Sequence, residues 1–352
     1  LRRLRDEAAA RGFRLQGCQS RRFEQLVIIQ RVETRGFRNL VDQVVEPGAR
    51  FNVLAGDNAQ GKTNFLEAAH LVSTLRPFRA NRNAEVIAFG GERALVRAAI
   101  RCLDLTRELS VDVGPAGKKV RSDGKAPRSS ADYLDGLSVV LFTPDDLQVP
   151  RGSPGPRRKL LDRSVASVWP TYVALTRDYQ KVLTSRNRVL KDAPAGVRDL
   201  LEVYDQQLSE LGARIVAGRI RYLRSIAGVL SETFGSIVRS GVACEVVYST
   251  SDAVREAGVR IADLEPVLRQ QLRDNLPEDL ARRSTRVGPH TDDMEFFLDG
   301  RNTRSFGSQG QVRAVVLALR IAQIKDTHDK LGFHPVLLLD DVSSELDGDR
   351  NT

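Results

Sequence analysis

Hydrophobic positions change their spacing along the chain, and each change predicts an element. Residues 1–26 mix apolar and charged positions around a break at Gly12 and read as a charged helix. From Val27 the period is that of strands: VIIQRVETRGF is one, and the apolar FNVLAG of Phe51 to Gly56 predicts another. A helix is predicted from Lys62 to about Leu75, with Pro77 as its stop. Short strand-like pieces follow, ending in SVVLF at Ser138 to Phe142. Within them the basic stretch Gly114 to Arg128, bearing Gly and Pro, reads as a mobile loop.

Gly152-Ser-Pro-Gly-Pro156 is the sharpest punctuation, and beyond it the period becomes helical to about Ser240. Leu208, Leu211, Ile215, Ile220 and Leu223 mark an apolar stripe at three- and four-residue spacing. A strand at Val242 to Tyr248, a helix at Ile261 to Leu272 and a strand at Asp293 to Leu298 come next. The last elements predicted are a long apolar helix, Gln311 to Leu331, and a strand from Pro335 to Leu339 whose unbroken apolar run predicts burial on both faces. The expectation is an α/β body, residues 27–150 with 283–352, interrupted by a mostly helical arm at 151–282 and preceded by an extension at 1–26.

Composition narrows the class. With 352 residues, 41% hydrophobic and 28% charged, the chain is neither fibrous nor disordered, and its length favours more than one core. No apolar run reaches the roughly 18 residues of a membrane span, and the Arg-rich start lacks the apolar middle of a signal peptide. Cys18, Cys102 and Cys244 stand too far apart for a metal or redox pair, so a cytoplasmic protein is expected. The net charge of +9 is unevenly spread: residues 151–240 hold 16 basic and eight acidic side chains, whereas 241–352 hold 14 and 19. A solvated helical surface would account for the basic stretch, and a polyanion-binding arm would also.

Chemistry enters with Gly56-Asp57-Asn58-Ala59-Gln60-Gly61-Lys62-Thr63, which fits GxxxxGK[ST] between a predicted strand and helix. Glycines let such a loop curl so that backbone N–H groups form an anion nest, and the helix N-terminus adds its partial positive charge. Lys62 would reach the β- and γ-phosphates, and the Thr63 hydroxyl would ligate Mg²⁺. Val336-Leu-Leu-Leu-Asp340-Asp341 supplies two carboxylates at the C-terminal end of a strand, where parallel sheets bind ligands. Asp340 can hold Mg²⁺ through a water and Asp341 can orient and deprotonate the attacking water. Ser308-Gln-Gly310-Gln311 stands before the long helix and offers a second phosphate site, one that makes sense facing the loop of a second copy.

This order of motifs, closed by Ser344-Glu-Leu-Asp347, resembles that of ATP-binding-cassette heads. More specifically, the chain resembles the RecF family of bacterial recombination-mediator ATPases, relatives of SMC-type heads. Gly36-Phe-Arg-Asn-Leu40, Asn64, Glu67-Ala68, Phe142-Thr-Pro-Asp-Asp-Leu147, Arg157-Arg158, Gly288-Pro-His290 and Gly307 to Arg313 carry the resemblance. It implies the fold of a P-loop ABC-type ATPase head with an inserted helical arm. It further implies an ATP- and Mg²⁺-dependent homodimer in which Ser308 and Gly310 of one copy close over ATP on the other. Weak DNA-dependent ATPase activity, binding to single-stranded and gapped duplex DNA, cooperation with RecR and RecO to load RecA, and a place in replication, repair and the SOS response are implied too. Slow hydrolysis agrees with Asp341, because many related heads carry the longer Glu there. The family pattern has no counterpart for residues 1–26 and extends past the position of Thr352 by a strand and a helix.

The competing classes are a transporter ATPase subunit, which should carry Leu-Ser-Gly-Gly-Gln, and a nucleotide-binding DNA scaffold without turnover. DNA contacts are expected from Arg157, Arg158, Lys159, Arg177, Lys181, Arg186 and Arg188 on the arm, and from Lys118, Lys119, Arg121 and Lys125. Trp169, Tyr172 and Tyr179 are expected in the core, and His290 in a structural turn.

Overall fold

A computed structural model describes residues 26–80, 82–102, 105–192, 196–239 and 241–340. The strand period read from Val27 produces β1 (Val27–Arg35), β2 (Gln43–Val45), β3 (Ala94–Cys102), β4 (Leu105–Gly114) and β5 (Gly117–Ser122). They form one antiparallel sheet in the order β2-β1-β3-β4-β5. Alternation decides its faces: Val96, Ala98 and Ile100 of β3 are buried, while Arg97 and Arg101 point to solvent. The buried face rests on α1 (Lys62–Thr74), whose Phe65, Ala68, Ala69, Leu71 and Val72 join Val32, Val96, Leu109 and Val111 in one core.

After α2 (Ser130–Leu134), β6 (Val139–Phe142) pairs in parallel with the last described strand, β10 (Val336–Leu339). The parallel register aligns Leu339 with Phe142, so the ends of both strands open on the same edge. Between them the chain builds α3 (Pro154–Val168), α4 (Tyr172–Asp192) and α5 (Val197–Val238). At 42 residues, α5 runs about 63 Å. β7 (Cys244–Ser249), α6 (Asp252–Ala257), α7 (Ile261–Asp274) and α8 (Leu276–Arg282) precede β8 (Asp293–Leu298) and β9 (Arg301–Asn302). A short turn, α9 (Thr303–Phe306), leads into α10 (Gln309–Leu331).

The second core draws on α3, α4, α5, α7, β7 and β8, and Ala314, Val315, Ala318, Leu319 and Ala322 of α10 belong to it. The apolar packing of the arm helices is therefore continuous with β8 and α10. Gly218 lets α5 approach α3 and α4: a Cβ there would stand 2.9 Å from Trp169 Cζ3 and 3.4 Å from Tyr172 Cε2.

Three expectations change. Residues 51–56 form no strand; Phe51 and Val53 are 83% and 71% exposed. A strand exists only as a hydrogen-bonded ladder, and none of the described strands pairs with this segment. Gly114 to Arg128 is largely a hairpin strand, because Lys118 to Ser122 alternates inward and outward positions against β4. β10 is buried on one face only: Leu338 is buried, whereas Leu337 and Leu339 are 45% and 47% exposed. Its partner among the described strands is β6 alone.

Candidate nucleotide site

The loop Gly56 to Thr63 ends in a left-handed residue, Gly61 at φ +89°, which turns the chain into α1. A side chain there would be strained at that φ and would have to displace the Leu40 side chain, since a Cβ would lie 2.6 Å from Leu40 Cδ2 and 3.3 Å from Asn39 Oδ1. The turn at Gly36 to Leu40 thus packs directly on the loop. Asn39 donates to Ala59 O (3.0 Å) and accepts from Asn64 Nδ2 (2.6 Å), tying the middle of the loop and the first turn of α1 to one amide. Arg38 Nε donates to Glu67 on α1 at 2.9 Å, and the buried Glu67 also accepts from Arg79 N. Sequence reading assigned no role to Asn39 or Arg38; only their place in the motif Gly36 to Leu40 signals one.

Lys62 Nζ folds back onto the loop and donates to Gly56 O (2.5 Å) and Asp57 O (2.8 Å). The first turn of α1 carries no acidic residue, so its free N–H groups and partial positive charge are left for an anion. Asp57, Asn58, Ala59 and Gln60 are exposed along the loop, and Ala59 takes a left-handed φ of +63°.

Thr63 Oγ1 donates to Asp340 Oδ1 at 2.8 Å, joining residues 277 positions apart. The parallel pairing of β10 with β6 holds Asp340 in place, because its N–H donates to Phe142 O at 2.9 Å. A hydroxyl and a carboxylate side by side are hard oxygen ligands, which fits Mg²⁺. Asp341 and Ser344 to Asp347 lie outside the described residues.

Ser308 caps α10 in a capping box: its Oγ accepts from Gln311 N at 3.2 Å, and Gln311 Oε1 accepts from Ser308 N at 2.8 Å. Ser308 and Gly310 are exposed, and among the described residues no hydrogen bond ties Ser308 to Gln311 with the loop. A second link runs from α10 to the strand edge. The buried Arg320 pairs with Asp146 at 2.7 Å, and Asp146 caps the turn after β6 through Thr143 N.

Several arm arginines expected on DNA are structural instead. Arg157 is buried and forks onto Asp293, and Arg186 is buried between Asp205 and Asp279 at 2.6 Å each. Arg158 donates to Asp292 O and Lys118 to Leu75 O. Arg177, Lys181 and Arg188 remain exposed. Tyr172 and Tyr179 are buried and Trp169 packs against the same core; His290 bonds Tyr179 OH and Thr285 O, as a turn histidine does.

The fold and the loop-to-strand pairing define a P-loop ATPase head, and a family model described as the RecF/RecN/SMC N-terminal domain matches residues 28–352. The chain is 41% identical over 318 residues to "DNA replication and repair protein RecF" of Myxococcus xanthus (strain DK1622), covering 90% of this chain and 83% of that one. It is 40% identical to the protein of that name from Anaeromyxobacter sp. (strain Fw109-5), covering 90% and 85%. A solved structure of the recombination mediator RecF–ATPrS in the RecFOR pathway superposes with a TM-score of 0.84 at 32% identity, covering 93% and 88%. The RecF–ATP structure gives 0.83 at the same identity and coverage. The chain belongs to the RecF family of DNA replication and repair proteins, which sets aside the transporter reading. Among the described residues no helix is long and apolar enough to cross a membrane.

Proposed function

We propose that the chain is an ATP-dependent DNA-binding protein of gap repair and recombination, with slow, DNA-stimulated ATP hydrolysis. The observation that carries this is the 2.8 Å bond from Thr63 to Asp340, which sets a metal-ligating pair beside an anion-binding loop. Backbone N–H groups of Gly56 to Thr63 bind the phosphates, and Lys62 exchanges its loop carbonyls for them. Thr63 and Asp340 hold Mg²⁺, which offsets phosphate charge, and Asp341 orients the attacking water. Ser308, Gly310 and Gln311 reach the loop of a second copy, a reading supported by the exposure of Ser308 and Gly310 and by the absence of such a contact among the described residues of one chain. The RecFOR pathway of the solved relative supports RecR and RecO as partners; membership of the RecF family is the ground for proposing RecA loading as the outcome, in the cytoplasm, during replication, repair and the SOS response.

DNA is proposed to lie on the outer face of the five-stranded sheet. Arg31, Arg35, Arg97, Lys119 and Arg121 are exposed there, and three of these arginines share the single carboxylate of Glu33. Two adjoining grooves of about 480 and 290 Å³ run over this face.

The test measures ATP affinity, mass in solution and binding to gapped and plain duplex. Wild type should dimerise with ATP and hold gapped DNA more tightly; Lys62→Arg should lose both. Ser308→Arg should keep ATP yet stay monomeric, and Asp341→Asn should keep the dimer and lose turnover. DNA binding indifferent to ATP and to Lys62 would overturn the reading.

A further inference from the structure

The two cores meet at a partly open cavity of about 60 Å³ lined by α1, the start of β6, α3, α4 and α10, in which Arg76 and Arg163 are half-buried. Its polar lining consists mostly of donors. Ser73 Oγ and Ser138 Oγ are buried with no hydrogen-bond partner, and so is Nε of Arg320, whose residue is 5% exposed. Gln323 spends its Oε1 on Arg320 Nη1 at 2.9 Å, which leaves its NH₂ as a further donor. Arg163 lines the same space, and among the described residues it has no hydrogen bond or ion pair. Arg76 is the third arginine of the lining, and its Nη2 bonds only the neutral Thr176.

Around this space three guanidinium groups face one nearby carboxylate, Asp146, already paired with Arg320. Orphaned buried donors cost free energy unless something accepts from them, and like charges crowded in low dielectric cost more. His70 does not add charge: burial, then Arg163, push its pKa down to about 3, and its Nδ1–H donates to Arg76 O at 2.8 Å.

We infer that this cavity is a binding site for one small inorganic anion, a halide or a phosphate, held by Ser73, Ser138, Arg163 and Arg320. The volume admits roughly two waters, or one such ion. Ser73 stands on the helix that follows the P-loop, and Arg320 on the helix that Ser308 caps, so the ion would join the two phosphate-facing helices at their seam. Water would satisfy the hydroxyls but would leave the excess positive charge uncompensated.

The test uses the full chain with bromide and phosphate as separate probes, ionic strength being held constant with gluconate, an anion too large for the cavity. Crystals grown in bromide should show an anomalous peak between Ser73, Ser138, Arg163 and Arg320. In solution either ion, or both, should raise the Tm of the wild type and also that of Lys62→Met, whose P-loop is impaired. Arg163→Gln should need about tenfold more ion for the same shift, the loss of one charge-assisted hydrogen bond. Ser73→Ala, a smaller change, should act in the same direction if Arg163→Gln folds poorly. Solvent density with no anomalous signal, or equal titrations in wild type and both cavity variants, would overturn the proposal. A response lost in Lys62→Met would place the ion in the P-loop and overturn it too.

Discussion

Single residues in this chain are held by their surroundings more than by their own preferences, and His70 makes the point measurable. It lies on the buried side of α1 with its pKa lowered to about 3, from 6.5, by desolvation and then by Arg163. An unfolded chain therefore binds a proton that the folded chain refuses between those two values. The stabilisation is fully present above pH 6.5 and is lost as pH falls toward 3, at up to ~1.4 kcal/mol per pH unit. Urea unfolding in gluconate buffer from pH 7 to 4 should show that slope in wild type and a shallower one in His70→Gln. Asp205 and Asp292, whose burial raises their pKa, act in the opposite sense near the acid end, and comparing the two proteins removes them. Parallel slopes would mean that His70 is charged in the folded state. Nothing in the sequence marks His70, because a histidine within an amphipathic helix looks alike whether its neighbours are arginines or solvent.

At the scale of elements, helices and most strands were legible: Asp293 to Leu298 is β8 to the residue, and Ser138 to Phe142 is β6 within one. The apolar period and the stop at Pro77 place α1 within a residue of its observed end, and the period from Gln311 to Leu331 places α10 within two residues of its observed start. Periodicity is a property of one segment, whereas a strand depends on a partner; hence Phe51 to Gly56 looked like a strand and forms none here. Charge was legible in amount and misread in direction. Arg157, Arg186 and Arg219 all point inward, where Arg157 ties α3 to β8 through Asp293, and Arg186 and Arg219 pin helices together through Asp205 with Asp279 and through Asp162. Arg186 joins α4 to α5 and α8, so Arg186→Met leaves two buried carboxylates facing each other. The expected loss in denaturant unfolding is about 3–5 kcal/mol, with DNA affinity of the surviving folded protein unchanged. An unchanged stability with weakened DNA binding would restore Arg186 to the DNA surface.

For the molecule as a whole, the candidate nucleotide site was legible as a single run, because a P-loop writes its chemistry into eight consecutive positions. The Thr63–Asp340 pair was inferable only as two motifs, and β6–β10 pairing turns them into one site. The proposed DNA surface has no such compact signature: Arg31, Arg97 and Arg121 are far apart in sequence and become neighbours only through strand register. Glu33 opposes Arg97, Arg97 opposes Ser110, and Ser110 opposes Arg121 across three ladders. Phosphate contacts release counterions, and each contributes about 0.9 to the slope of log affinity against log salt on duplex DNA. Arg97→Glu with Arg121→Glu should therefore weaken binding in the presence of ATP and lower that slope by about two. Arg177→Glu with Arg188→Glu, the same charge change on the exposed arm, should leave the slope near wild type. If the arm pair flattens the slope and the sheet pair does not, the arm carries the DNA and the sheet face is a solvated surface whose charge serves folding or solubility alone.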